Sequence, residues 1–355
     1  MASRKIAKSL QYVLFLVAGI VLLYFAFRGV DLNELLSEIR HADYRWVAMS
    51  MLFAALALVF RTFRWRMLIE TLDERPSAIN IFHAVNVGYL ANFALPRIGE
   101  ITRCGILNRT DKVPAGSLFG TVIVERVFDL LMAALMLCLL LLLRFGELSG
   151  FMAAQIFHPL KDRMSETENA GWLVALAALA SLTIFACYKY FKARLSTFSL
   201  ARKVKDLLLG VAKGIRSAYL IRNFKLFIAL NFLIFGMYFM QTYVLFFALP
   251  STSSLGLVDG LFLLVLSALA IIIPVQGGIG AFHWIISLGL TLFGLTREEG
   301  MVYATLSHTA TSALFIFLGT ASLAAVFLGG GKKTKNPTCI TREGVGEDCS
   351  SKSKV

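Results

Sequence analysis

The sequence predicts an all-α, polytopic membrane bundle with about six to eight spanning helices. Of its 355 residues 57% are hydrophobic and only 16% are charged, whereas soluble domains are about a quarter charged. This composition excludes a water-soluble globule. Long apolar runs recur along the chain, each near the roughly 20 residues that a spanning helix needs. These runs occupy residues 10–27, 44–63, 115–143, 171–191, 224–248 and 300–328.

Two further apolar stretches, residues 79–95 and 257–295, are interrupted by Pro and Gly. Such breaks are tolerated inside hydrocarbon only beside protein or a water-filled cavity. We predict that each forms a re-entrant hairpin. Ordinary loops between short helices are the alternative for both, and two full crossings are another for the second. The candidate substrate-binding residues at the breaks are Asn92, Pro96, Arg97, Gly99, Glu100 and Arg103, then Pro274, Gln276, Gly277, Gly278 and Gly280.

The distribution of Lys and Arg predicts the topology of the chain. With the N-terminus in the cytoplasm and residues 79–95 re-entrant, the inner segments carry 26 basic residues and the outer segments carry 7, as the positive-inside rule requires. This places the protein in the cell (inner) membrane with both termini cytoplasmic. The net charge of +13 then indicates anionic inner-leaflet lipid as a partner, not nucleic acid. Residues 192–225 fit either an amphipathic surface helix or a basic loop.

The two breaks predict an inverted repeat in a membrane domain of residues 1–330, ahead of a disordered cytoplasmic tail at 331–355. Leu95-Pro96-Arg97-Ile98-Gly99 precedes Ile273-Pro274-Val275-Gln276-Gly277 by 178 residues, with one apolar-Pro-x-x-Gly frame. A first half of about 1–145 and a second of about 171–330 would each hold two spanning helices, a broken hairpin and a long helix. Three crossings per half invert the second half, which is typical of transporters that bind substrate near the midplane.

Charged residues near the breaks predict the chemistry of the site. Half-helix amino ends bind anions such as phosphate, and Arg97 and Arg103 would add charge-assisted contacts. In the run 115–143, Glu125 and Asp129 share a helix face and Arg126 reaches Asp129. We expect these three residues, with His308, to relay or tune charge, unless the cluster is only an interfacial rim. Asn231, Tyr238 and Thr242 form one polar face, more typical of helix contacts than of a pathway.

Motifs of catalysis are absent from the sequence. There is no Walker loop, HExxH, GxSxG or Rossmann fingerprint, no metal-ligand spacing among the five Cys, and no soluble segment large enough for a catalytic core. We therefore expect neither cofactor nor metal, and regard an enzyme as the weaker interpretation.

Three motifs together resemble the lysylphosphatidylglycerol synthase transmembrane-region family over residues 5–330. They are Leu95-Pro-Arg-Ile-Gly-Glu-Ile-Thr-Arg103, Glu125-Arg126-x-x-Asp129 and Pro274-x-x-Gly-Gly-Ile-Gly280. The resemblance implies the flippase part of an aminoacyl-phosphatidylglycerol synthase without its synthase domain. His283 departs from the family, in which an acid commonly follows the glycine motif.

The combined prediction is a carrier or flippase of a phosphate-bearing glyco- or phospholipid. The alternative is a membrane-embedded transferase, or its membrane subunit, that acts on a lipid-linked sugar or amino acid. A lipid-modifying enzyme is a possible partner under either hypothesis.

Overall fold

Nine α-helices and three single 3-10 turns make up most of the described chain, which contains no strand. The computed structural model describes residues 21–152 and 221–329, apart from Leu22, Phe25, Ala26, Gly29 and Pro274. The α-helices are α1 (Leu32–His41), α2 (Tyr44–Glu70), α3 (Ala78–Ala94), α4 (Gly99–Asp111), α5 (Ala115–Met152), α6 (Phe224–Leu245), α7 (Leu257–Ile272), α8 (Ala281–Leu290) and α9 (Arg297–Gly329). The 3-10 turns are Phe246–Ala248, Gln276–Gly278 and Thr291–Phe293.

Five of the described segments are long and apolar enough to cross a membrane, which confirms a polytopic helical bundle. They are Tyr44–Glu70, Ala115–Arg144, Phe224–Ala248, Gln276–Phe293 and Arg297–Leu328. The re-entrant course of the two hairpins stays a prediction. Predictions for residues 1–20, 153–220 and 330–355 lie outside the described residues; they include the run 171–191, most of the basic segment 192–225 and the tail.

Helices α2 and α6 form the central pair of the bundle and run antiparallel. The Ser50 hydroxyl donates to the Gln241 carbonyl at the start of α2, while Arg64 near its end donates to Asn231. Residue numbers thus rise along one helix as they fall along the other. A helix pair with this relation is what an inverted repeat predicts for corresponding helices of its two halves.

The outer contacts are reciprocal between the halves as well. Helix α3 packs antiparallel on α9, with Tyr89 on Phe315 and His83 within 3.1 Å of Ser322. Helix α7 of the second half packs on α5 of the first. The helix before each predicted break therefore packs on the long helix of the other predicted half; the inverted repeat itself stays a prediction.

Two apolar cores lie at opposite ends of the α2/α6 pair. One is built from the ends of α2 and α5 with α7, α8 and α9, around Phe246, Leu263 and Ile286. The other joins α3 and α4 to the second half of α2, around Trp65 and Leu107. The charged residues described below lie beside this second core.

One membrane helix is longer than the apolar run that predicted it. The run covers residues 44–63, but α2 continues to Glu70. Arg61 and Arg64 are therefore helical and buried, 7% and 0% exposed. A helix can carry arginines this deep because carboxylates on α5 neutralise them, which the apolar run alone does not reveal.

Candidate functional site

The candidate site begins with two arginines on one face of α2. Arg61 and Arg64 are three residues apart, so their side chains point the same way. Burial of Leu58, Trp65 and Leu68 fixes the rotation of α2 about its axis. That rotation turns both guanidinium groups toward α5, where Glu125 and Asp129 lie one helical turn apart.

Glu125 is the centre of the cluster, and its side chain is 0% exposed. Its Oε1 atom lies 2.7 Å from Arg61 Nη2, 2.9 Å from Arg64 Nη2 and 3.0 Å from Arg126 Nη2. Its Oε2 atom lies 2.9 Å from Arg103 Nη1, which α4 contributes. One buried carboxylate thus joins guanidinium groups from α2, α4 and α5. We refer to Arg61, Arg64, Arg103, Glu125, Arg126 and Asp129 as the arginine cluster.

Asp129 extends the cluster toward the surface. Its Oδ1 atom lies 2.7 Å from Arg64 Nη1, and its Oδ2 atom lies 3.1 Å from Arg126 Nη2 and 3.3 Å from Arg61 Nη2. The side chain of Arg126 is 44% exposed, so the cluster opens outward at this residue. Arg126 Nη1 also lies 3.9 Å from Glu100 Oε1.

Neutral side chains hold the arginines in place. Arg61 Nη1 donates to the Tyr238 hydroxyl at 2.9 Å, and Arg64 Nη1 donates to Asn231 Oδ1 at 2.7 Å. Two residues of the polar face of α6, Asn231 and Tyr238, therefore bind arginines of the cluster. The guanidinium of Arg103 stacks on the Trp65 ring at 4.4 Å, a cation–π contact.

The cluster has more positive than negative charge. Four guanidinium groups face Glu125 and Asp129, and Glu100 adds a third carboxylate at 3.9 Å from Arg126, so one positive charge is left over. Several buried N–H groups also have no hydrogen-bond acceptor among the described residues. They are Nε of Arg61, Arg64 and Arg103, and Nη2 of Arg103. Buried donors of this kind cost free energy unless an acceptor reaches them, so the cluster can accept an anion.

The first predicted break is a tight turn between α3 and α4. Pro96 lies in this turn, and Arg97 is exposed with a left-handed φ of 64°. The arginine of this region that belongs to the cluster is Arg103, one helical turn into α4. The expectation of a bare amide end on α4 is wrong for its first residue, because the Gly99 N–H donates to Asn92 Oδ1 at 2.7 Å.

The second predicted break forms what we call the glycine turn, Gln276–Gly280. Gly277, Gly278 and Gly280 have φ values of 59°, 78° and 83°, a region that glycine adopts without steric cost. Pro274 lies outside the described residues. The turn meets the first break directly, since a Cβ on Gly277 would lie 2.8 Å from the Phe93 ring. The two breaks thus approach each other.

His308 binds the glycine turn from α9, with its Nε2 atom 2.8 Å from the Gly277 carbonyl oxygen. It also lies beside His283. The printed contacts of His308 are with Gly277, Ser312 and neighbouring rings, and its role with Glu125 and Asp129 in a charge relay stays a prediction. Among the described residues, no group of three or more His, Cys, Asp or Glu side chains could hold a metal ion.

Sequence reasoning missed Arg61 and Arg64. They end an apolar run, where basic residues ordinarily mark the membrane boundary. One signal was available: their spacing of three residues places both on one face, as Glu125 and Asp129 share a face on α5. Two complementary faces on membrane helices indicate a pairing.

Fold and site together define a polytopic helical membrane protein with a buried arginine–carboxylate cluster between its helices. The family model of the lysylphosphatidylglycerol synthase TM region matches residues 11–319. The chain belongs to this family, as its three motifs predicted.

Two curated relatives match parts of the chain. A protein named UPF0104 membrane protein MJ1595, from Methanocaldococcus jannaschii, is 28% identical over 103 residues, which is 28% of this chain and 31% of the relative. A protein named Glycosyltransferase AglD, from Haloferax volcanii, is 29% identical over 124 residues, which is 34% of this chain and 20% of the relative. The chain thus spans less than a third of either relative. No solved structure gives a significant match.

Proposed function

We propose that the chain is a membrane carrier, or flippase, that moves a lipid with a phosphate-bearing head group between leaflets. The observation that carries this proposal is the arginine cluster, with more positive than negative charge and buried guanidinium N–H groups that lack an acceptor among the described residues. A phosphate supplies both missing parts, since it is anionic and offers several acceptor oxygens.

The phosphate enters at the exposed end of the cluster. Arg126, which is half exposed, makes the first contact, and Arg103 receives the phosphate further inside. Arginine suits this task because its planar fork binds phosphate through two parallel hydrogen bonds. Glu125 and Asp129 hold the guanidinium groups in position for the phosphate, while the acyl tails stay in the surrounding lipid.

The two breaks complete the path as re-entrant hairpins from opposite sides of the membrane. Asn92, Pro96, Gly99 and Glu100 shape one tip, and the glycine turn shapes the other. Both termini face the cytoplasmic side of the cell (inner) membrane, as the positive-inside rule favours. Such non-helical turns are tolerated at membrane depth where protein or a water-filled cavity surrounds them, as a head-group site requires.

The test is a lipid-movement assay with the purified chain in phosphatidylcholine vesicles. Fluorescent phosphatidylglycerol reports the movement of an anionic phosphate, and fluorescent glucosylceramide is its phosphate-free control. Dithionite, which quenches only the outer leaflet, gives the rate. Wild-type chain should move phosphatidylglycerol faster than empty vesicles do, and leave glucosylceramide unaffected.

The decisive variant is Arg103→Gln. Loss of one charge-assisted hydrogen bond costs about 1.5–3 kcal/mol, so head-group binding should weaken roughly 10- to 100-fold. Arg66→Gln is the matched control, since Arg66 forms an exposed pair with Glu70 on α2. Equal phosphatidylglycerol rates in Arg103→Gln and wild type, with both eluting as folded protein, would contradict the proposal.

A second candidate function is a membrane-embedded transferase, or the membrane subunit of one, for a lipid-linked sugar. The name of the AglD relative favours it, and so does Glu100, whose buried Oε2 atom has no hydrogen-bond partner among the described residues and could accept a proton. Purified chain with nucleotide sugars and a lipid phosphate tests this. Product formation that Glu100→Gln abolishes would favour the transferase; lipid movement without product would favour the carrier.

A further inference from the structure

Two imidazoles, one buried and one partly buried, lie side by side next to the glycine turn. His283 on α8 is 5% exposed, and its ring centroid is 4.9 Å from that of His308 on α9. Aromatic rings flank the pair, with Phe27 at 5.8 Å from His283 and Phe282 at 5.4 Å from His308. The pair therefore lies in largely apolar surroundings.

The hydrogen bonds of the pair assign one proton and leave a nitrogen without a partner. The Gly277 carbonyl only accepts, so His308 Nε2 carries a hydrogen and its Nδ1 is bare when the ring is neutral. The Ser312 hydroxyl lies 3.5 Å from this Nδ1, at the limit of a hydrogen bond. Nδ1 of His283 is buried with no hydrogen-bond partner in the described chain.

No carboxylate of the described residues lies within ion-pair distance of either ring. The titratable groups on the neighbouring helices have other partners. Two of these groups form ion pairs: Arg61 of α2 with Glu125, and Asp259 of α7 with Arg144. Glu38 of α1 faces Glu299 of α9. Tyr89 of α3 packs on Phe315, and the Tyr303 hydroxyl of α9 donates to the Thr242 carbonyl oxygen. The charge state of the imidazole pair is thus set by the two rings and the turn they contact.

We propose that His283 and His308 bind one proton between them, and that this proton controls the glycine turn and couples lipid movement to a proton gradient. The second part, the coupling to lipid movement, rests on the proposed carrier function. A proton from water binds a bare ring nitrogen, and the new N–H is shared with the bare nitrogen of the other ring. A second proton is excluded because two imidazolium ions at this separation repel each other.

Protonation acts on the turn through the contact that His308 makes with it. A ring that turns toward its partner to share the proton changes its bond to the Gly277 carbonyl. Gly277 in turn packs on Phe93 at the end of α3, and the adjacent Asn92 caps Gly99 at the start of α4. Helix α4 carries Arg103. A continuous set of contacts therefore links the imidazole pair to the arginine cluster.

Direct measurement of proton binding tests the first part without any lipid. Nitrogen-15 NMR of histidine-labelled protein, with His41, His83 and His158 replaced by Gln, reports the two remaining rings alone. We expect one imidazole to protonate while the other stays neutral over at least two further pH units. Two rings that titrate together, as isolated histidines do, would overturn the proposal.

Lipid movement under an imposed pH gradient tests the second part. We expect wild-type rates of phosphatidylglycerol movement to change at least fivefold between opposite gradients, and this response to vanish in His283→Asn and in His308→Gln. His41→Gln, an exposed histidine on α1, should keep the full response. A response retained in both pair variants overturns the coupling. Absence of any wild-type movement instead refutes the carrier function, while the NMR titration still decides the proton site.

Discussion

Replacement of Glu125 by Gln is expected to destabilise the chain severely. The side chain is 0% exposed, and its two oxygens face four guanidinium groups at 2.7–3.0 Å. Gln keeps the size but removes the charge that holds these cations together. Loss of one partner from a buried ion pair costs about 3–5 kcal/mol, because a charge remains buried without compensation. At about 2 °C per kcal/mol for a large domain, the melting temperature should fall by about 6–10 °C.

Circular dichroism melts of the detergent-purified protein measure this effect. Glu70→Gln is the control, because Glu70 forms an exposed pair with Arg66 on α2 and such pairs contribute less than about 1 kcal/mol. The double variant Glu125→Gln/Arg103→Gln should melt above Glu125→Gln alone, since one uncompensated cation is removed with the carboxylate. A melting temperature of Glu125→Gln within 2 °C of wild type would refute the reasoning.

Two other predictions concern α4 and α1. Gly99→Ala should lower stability by about 1–3 kcal/mol, because a Cβ there would collide with the Gly88 carbonyl and lie 2.7 Å from Asn92 Oδ1. Gly105→Ala, on the same helix with open space around it, should instead add about 0.4–1 kcal/mol; thermal melts that rank the two variants the other way would contradict this packing. Burial, together with Glu299 and Glu34, raises the pKa of Glu38 above the ordinary value of 4.5. The folded chain thus binds this proton more tightly than the unfolded chain, and stability falls as pH rises above 4.5. Glu38→Gln should raise the melting temperature at pH 7.5 and flatten its dependence on pH; an unchanged slope would show that other groups cause it.

Composition and hydropathy predicted the class of fold because the bilayer leaves few choices. A run of about 20 apolar residues must form a helix to satisfy its backbone, so the ends of α6, α7 and α9 fell within a few residues of the runs that predicted them. The positions of the glycine turn and of the turn at Pro96 were equally visible, since Pro and Gly break a helix within an apolar run.

The arginine cluster was predictable only in part. Glu125, Arg126 and Asp129 stand out as charges in an apolar run, and Arg103 follows a visible break. Arg61 and Arg64 escaped notice because their burial depends on α5, which lies some sixty residues away in sequence. The capping of Gly99 by Asn92 escaped for the same reason, since it requires α3 and α4 to lie side by side.

The close approach of Gly88 to Gly99 has a mechanical consequence. A Cβ on Gly88 would lie 2.9 Å from the Gly99 carbonyl oxygen, so the backbones of α3 and α4 touch without side chains between them. We expect two helices in such close backbone contact to move as one unit. Any conformational change would then bend the chain elsewhere. The glycine turn, which contacts Phe93 and holds three glycines with left-handed φ values, is well suited to act as the hinge.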